Sequence, residues 1–354
     1  MKGGNTLVKL EKFVCLKAVQ GLGQTRSLSA VLHLLNGKKS IQTIQDSYLY
    51  SVQYLYNIFS EENVDCVQVI QQLENGNFIV IDNQQAFLTN NGRDFLQENE
   101  EHFQYLYELK PFLLQKQARV FLPRLILTIQ LLSNTAANTK RFLPVITNRN
   151  IQAWVKNFYY KSIKENNVRG ELYNELYSIL KCSTEEFADI FVDSLTGSNH
   201  YGATRLQSAM KVNMTEMEFS VWWSLHIQKL IEIMKEERYP ILSEFCQIEE
   251  MTITTSANKT YDLLTKGYSV DEISNIRKLK RPTIEDHIIE IAYVFDNFPY
   301  EMYIFDKQYN EIIESLSSMD TIKLGEVKGK VNKEITYFQI RLALAKWVKY
   351  DSKK

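Results

Sequence analysis

The sequence predicts a mainly α-helical protein with one small β-hairpin. It ends in two helices joined by a tight turn, the cut of a helix-turn-helix. Three observations carry this. Apolar residues recur every three to four positions through most of the 354 residues. Only Phe78–Ile81 and Ala86–Thr89 read as short strands, separated by the turn Asp82–Gln85. Residues 269–288, SVDEISNIRKLKRPTIEDHI, place a helix start, a short basic break and a second helix start within twenty positions.

The first segment, residues 1–110, reads as a winged-helix-like domain. Leu28, Val31, Leu32 and Leu35 repeat at helical spacing, as do Val64, Val67, Ile70 and Leu73. Asn75-Gly76 closes the second helix with an expected left-handed cap. The hairpin follows, and Arg93–Leu96 starts the next helix. Helix, hairpin, helix is the order that ends a winged helix. This hairpin carries no Lys or Arg between Phe78 and Asn91, so it offers phosphate no cation.

The middle, residues 111–250, is helical with polar breaks. Ser183 with Glu186 has the spacing of a capping box. SLTGSNHYGATRLQ is the largest internal loop. The last segment, residues 251–354, carries the paired helices. A helix ends at Gly267; Ser269 caps the next, with Glu272 as reciprocal partner, and Ile273 and Ile276 are expected in the core. Pro282 suits the first turn of a third helix, where its missing N–H costs nothing. Ile284, Ile288, Ile291 and Phe295 line one face of that helix. Two further helices run through Tyr309, Ile312, Ile313 and Leu316, and through Ile340, Leu344 and Trp347.

Composition sets limits. A hydrophobic fraction of 45% allows sizeable cores, and the length fits two or three domains. The net charge of −1 gives no whole-chain attraction to nucleic acid or acidic membrane, so any such attraction is local. Cys15, Cys66, Cys182 and Cys246 are too scattered for a zinc site or a disulfide framework, which fits reduced thiols in a cytoplasmic protein. The apolar stretch ARVFLPRLILTIQLL is broken by Pro123 and Arg124 and reads as a buried helix, not a membrane span.

Enzyme motifs fail when tested. Gly37-Lys38-Lys39-Ser40 lacks the glycine at position 32 and the hydroxyl after the lysine that a phosphate-binding loop needs. Gly21-Leu22-Gly23 lacks a third glycine at Arg26. The histidines are scattered: His226 reads as packed, His200 as a loop residue and His287 as locally hydrogen-bonded. The expectation is a protein without catalytic residues, metal or cofactor.

The C-terminal third resembles a known family. Thr260-Tyr261, Gly267-Tyr268-Ser269, Glu272-Ile273, Arg277 with Leu279, Thr283-Ile284-Glu285-Asp286-His287 and ITYFQIRLALA at 335–345 resemble the helix-turn-helix domain that ends the Bacillus YpbB family and some RecQ-type DNA helicases. The resemblance covers roughly residues 256–350. It implies a partner, a RecQ-like DNA helicase, and a bacterial factor of DNA replication or repair.

Charge within the motif is segregated. Arg277, Lys278, Lys280 and Arg281 precede or begin the third helix; Glu285, Asp286 and Glu290 follow. Between Ser269 and Glu290, four bases meet five acids, since Asp271 and Glu272 also fall there. Affinity for DNA rests largely on phosphate neutralisation, so the acids oppose deep groove reading. Exposed N–H groups at the helix start favour phosphate. Arg277, Lys278, Lys280, Arg281 and Thr283 are therefore candidate contacts for weak, non-specific DNA binding. Glu285, Asp286 and Glu290 are candidates for a basic partner surface. A second basic region runs from Lys323 to Lys354 with nine bases against three acids; Lys328, Lys330 and Lys333 are its candidates. The expected function is a non-enzymatic accessory factor that docks the helicase. The alternatives are a sequence-specific transcription regulator, which would leave a footprint on defined DNA, and a pure protein-interaction scaffold, which would bind no DNA even at low salt.

Overall fold

The computed structural model describes residues 9–59, 64–139, 141–162, 168–235, 238–248, 253–295, 297–316 and 324–351. Chain order begins α1 (Lys9–Ala18), α2 (Leu28–Leu35), α3 (Ile41–Leu49), α4 (Cys66–Asn75), β1 (Ile79–Asp82), β2 (Gln85–Leu88) and α5 (Asn90–Phe103). Next come α6 (Pro111–Ala136), α7 (Arg149–Ser162), α8 (Val168–Leu180), α9 (Glu185–Asp193), α10 (Arg205–Lys211), α11 (Glu216–Ile233) and α12 (Pro240–Cys246). The chain closes with α13 (Thr255–Leu264), α14 (Val270–Arg277), α15 (Arg281–Val294), α16 (Asp306–Leu316), α17 (Leu324–Lys330) and α18 (Tyr337–Lys346). The fold is mainly α with one antiparallel hairpin among the described residues, as the periodicity predicts.

The chain divides into two units. One joins residues 1–104 with 250–354; the other is 105–249. In the first, α1 is buried along Leu10, Phe13, Val14, Leu16 and Ala18, against α2, α4 and α5. The hairpin pairs Ile79 with Leu88 and Asp82 with Gln85. Asn83 and Gln84 turn it with φ of 47° and 66°, the left-handed pair that a two-residue hairpin requires. Its tip is tied down: Leu28 N–H donates to Gln84 O at 2.7 Å. A side chain at Gly23 would meet Ala86 O at 2.2 Å, so only glycine lets the backbone pass so close to β2.

In this unit α3 lies against α15 and α18. Ser40, the hydroxyl of the failed phosphate-loop motif, caps α3 by accepting from Thr43 N–H at 3.2 Å. The helix buries polar groups as well as Ile44, and they are satisfied. Arg26 grips Asp46 bidentately at 3.0 and 2.9 Å, and Gln42 donates to the same carboxylate at 2.8 Å.

The second unit is built on α6 and α11, with α7, α8, α10 and α12 packed on them. Its core is aromatic: Phe158, Phe187, Phe191, Phe219, Trp222 and Phe245 are buried together. Arg124 stacks over Trp154 at 4.4 Å and donates to Phe245 O and Gln247 O, so this charge beside Pro123 fixes α12 within the unit. His226 packs on Phe187 and sits 2.9 Å from Trp222 O, and burial lowers its pKa.

Four local readings are corrected. Val67 is exposed, and the face of α4 that packs is Cys66, Val69, Ile70 and Leu73. The left-handed residue after α4 is Asn77, at φ 57°; Gly76 stays at −81°. Thr184, not Ser183, caps α9, accepting from Phe187 N–H at 3.3 Å. Ile276 is 52% exposed, since Ile273 alone fills the contact of the short α14 with its neighbours.

Candidate functional site

The three helices α13, α14 and α15 pack on one another. Gly267, at φ +87°, turns α13 toward α14. Ser269 then starts α14 with a complete capping box: it accepts from Glu272 N–H at 3.3 Å, and the Glu272 carboxylate accepts its N–H at 2.8 Å. These bonds hold the Glu272 pKa below its ordinary value. The turn into α15 needs a left-handed residue, and Lys278 supplies it at φ 52°. Leu279 N–H donates to Ser274 O at 3.1 Å, and Ser274 Oγ returns a bond to Leu279 O at 2.5 Å. Pro282 lies in the first turn of α15, as expected.

The helix that would enter a DNA groove is a core helix. From His287 to Val294 every residue of α15 is buried. A helix stretch buried all round has no face left to enter a DNA groove. Around it lie α13, α14, α18 and α3. Tyr293 stacks on Tyr48 of α3 with centroids 5.2 Å apart, and Tyr300 Oη donates to Ala292 O at 3.1 Å. The accessible part is the first turn and a half.

Within that part the candidate residues have different fates. Lys278 and Lys280 are exposed at the turn. Thr283 is half-buried. Arg281 is bound between two acids, Asp271 at 2.5 Å and Glu285 at 2.9 Å, which raise its pKa. Asp286 pairs with Arg341 of α18 at 2.6 Å, and Arg341 Nε donates to Gln45 of α3 at 2.9 Å. Arg277 is turned inward. It donates to Ser256 O at 2.8 Å, to Ser256 Oγ at 3.0 Å and to Thr260 Oγ1, and it lies 3.2 Å from His287 Nδ1. Arginine only donates, so His287 Nδ1 accepts and the proton sits on Nε2. Burial, and then the charge of Arg277, push the His287 pKa down to about 4.

Glu290 is placed differently from its expected partner-facing role. It is 6% exposed, and its carboxylate accepts from Thr254 N–H at 2.5 Å and Thr254 Oγ1 at 3.0 Å. It braces the start of α13 from inside the core. In the second basic region Lys328 Nζ donates to Lys333 O at 2.8 Å and Ile335 O at 2.5 Å, closing the turn after α17. Lys330 and Lys333 are exposed. Lys349 Nζ donates to Phe295 O at 2.9 Å, and Lys346 lies over the Tyr309 ring. Lys323, Lys353 and Lys354 lie outside the described residues.

A groove that runs along α15 from Arg281 and Glu285 to Ile291 and Phe295 was not foreseen. It encloses about 1030 Å³ and is lined by Tyr261, Tyr268, Phe295, Phe298, Tyr303 and Phe338. Asp271, Glu285 and Glu334 also line it, and its one arginine, Arg281, is the residue held by the first two. Tyr261 stacks on Phe295 at 4.9 Å, and Phe298 on Tyr303 at 5.6 Å. The aromatic run FDNFPYEMYIF after α15 is the sequence signal that marks this groove. Among the described residues no group of acids, histidines and cysteines has the arrangement of a metal site. No described helix is long and apolar enough to cross a membrane.

Residues 256–344 match the family model described as a helix-turn-helix domain. The C-terminal segment is a helix-turn-helix domain. The relation extends beyond that domain: over 343 residues, covering 95% of this chain and 97% of the relative, the chain is 28% identical to Protein YpbB of Bacillus subtilis (strain 168). No solved structure matches. The helix-turn-helix match gives the chain a nucleic-acid-related character, and the burial of α15 restricts how such a domain can act.

Proposed function

We propose that this chain is a non-enzymatic accessory protein of DNA replication or repair that works by docking a RecQ-like DNA helicase in the cytoplasm. The observation that carries this reading is the burial of α15 from His287 to Val294. A reader of base edges presents its second helix to the major groove; this one is spent on the core. What remains exposed is an acidic, aromatic-lined groove with Asp271, Glu285 and Glu334 on it, and Asp286 nearby on α15. That chemistry suits a basic, partly apolar segment of a protein partner. Weak phosphate contact falls to Lys278, Lys280 and Arg281 at the turn, with Thr283 beside them and Lys330 and Lys333 as a second patch. Arg277, Lys328 and Glu290 serve the fold.

The test is retention of a RecQ-type helicase on the immobilised full chain, before and after nuclease treatment. Retention after nuclease is expected. Changing Asp271, Glu285 and Glu334 to Gln should slow association, because charge complementarity acts mainly on the on-rate. Changing Lys278 and Lys280 to Glu should weaken DNA binding equally on all sequences. A protected footprint on one defined sequence, with no helicase retained, would replace this reading with that of a transcription regulator.

A further inference from the structure

In the 105–249 unit, α8 carries a row of exposed residues unlike the rest of its surface. Arg169, Tyr173, Tyr177 and Lys181 are spaced by four, so they lie along one ridge of the helix. Lys181 follows the last helical residue, but its N–H still donates to Tyr177 O at 3.2 Å and keeps it in line. Tyr173 is 66% and Tyr177 53% exposed. Their rings are nearly parallel, 11° apart in plane with centroids at 6.1 Å. Lys181 Nζ sits 4.6 Å from the centre of the Tyr177 ring.

Nothing in the packing of the unit requires two tyrosines there. The inner face of α8 supplies Leu172, Ile179 and Leu180 to the core. Glu175 is also directed elsewhere: its carboxylate accepts from Ile241 N–H at 3.1 Å and Leu242 N–H at 2.8 Å, capping α12. The remaining acid of the helix, Glu171, falls more than about 100° round from both tyrosines at 3.6 residues per turn. The residues flanking the ridge are Gly170, Asn174 and Ser178 on one side and, on the other, the half-buried Leu176 with the buried Leu172 and Leu180. The ridge thus presents two largely exposed rings between two cations, with Lys181 lying over the Tyr177 ring and, among the described residues of the helix, no acid in the row.

We propose that this ridge is a stacking platform for single-stranded nucleic acid. Bases stack on exposed aromatic faces whatever their identity, and flanking cations hold the backbone. From Arg169 to Lys181 the ridge spans about 18 Å at 1.5 Å per residue, room for a few nucleotides. The two cations match a phosphate backbone and the rings match bases, so an oligonucleotide finds both of the groups it needs. The inference does not rest on the docking reading, since it uses none of the same residues.

The experiment is binding of the full chain to a fluorescently labelled oligothymidine, followed by anisotropy across a salt series. The wild type should bind at low salt. Tyr173→Ala with Tyr177→Ala should weaken binding at least about tenfold, since each stacked base contributes several-fold or more. Tyr173→Phe with Tyr177→Phe should retain it, because the π-face survives. Arg169→Glu with Lys181→Glu should also weaken it, with the slope of log K against log salt reduced by about 0.7 per charge lost. All four positions are exposed, and unchanged circular dichroism and melting should show that the variants fold. Absent binding at low salt, wild-type affinity in the folded alanine variant, or complete loss through Lys278→Glu with Lys280→Glu alone would each overturn the proposal. So would an alanine variant that keeps oligothymidine but loses an acidic protein partner. Helicase retention is scored separately, so failure here leaves the docking reading standing.

Discussion

Two helices of nearly equal length show how differently a motif and a surface can be distributed. Helix α15 has 14 residues and occupies the position of a DNA-reading helix, yet eight consecutive residues of it are buried. Helix α8 has 13 residues and belongs to no motif, yet it presents two stacked tyrosines and two cations to solvent. The difference lies in what packs around each. Within its unit α15 is enclosed by α3, α13, α14 and α18, whereas α8 is engaged by α11 and α12. A motif defines a local cut of the chain; neighbours decide whether it can be touched.

The contrast can be broken most severely inside α15. Ile288→Ala should destabilise the protein by about 2–5 kcal/mol, read as a lower urea midpoint, because Ile288 is fully buried. Ile276→Ala in α14, at an exposed position, should change stability by no more than about 0.5 kcal/mol. Equal losses would mean that the second half of α15 is not the core helix described.

His287 sharpens the same point through pH. Its pKa is pushed down to about 4 in the folded state against an ordinary 6.5, so the unfolded chain binds the extra proton between these values. The neutral form favours folding, and that contribution is intact above pH 6.5 and lost as pH falls toward 4. The loss should be on the order of 2–3 kcal/mol. His287→Gln cannot titrate, so its stability should fall less between pH 7 and pH 4.5 in urea melts. Parallel curves for the two proteins would remove His287 from the network with Arg277 and Thr260.

The acids of α15 give the smallest and most pointed comparison. Glu290→Gln weakens charge-assisted bonds to Thr254 in the core and should cost about 1–3 kcal/mol. Glu285→Gln breaks an ion pair whose arginine is half exposed and should cost less than about 1 kcal/mol. Only the second should slow association with a basic partner.

Much of this was legible along the chain. The Ser269–Glu272 box, the place of Pro282 and the stripe Ile284–Ile288–Ile291 follow from spacing and cap chemistry, which act within a few residues. The left-handed residues were harder. Asn77 and Lys278 take positive φ because the chain must turn there, and a lysine gives no warning of it. Charge misled most. Glu290 and Asp286 look alike in sequence, four residues apart, but one meets Thr254 in the core and the other meets Arg341 at the surface.

By itself the sequence determined the helical class, the hairpin, the Ser269 capping box and the helix-turn-helix cut, because periodicity and capping are short-range properties of the chain. Only the tertiary structure decided which helix is enclosed and which is open. That choice depends on α3 meeting α15 across more than two hundred residues of sequence, through Tyr48 on Tyr293 and Gln45 on Arg341. No local pattern encodes such a contact. The bonds of Arg277 to Ser256 and Thr260 on α13 are likewise tertiary, and they take a phosphate candidate into the packing of the domain.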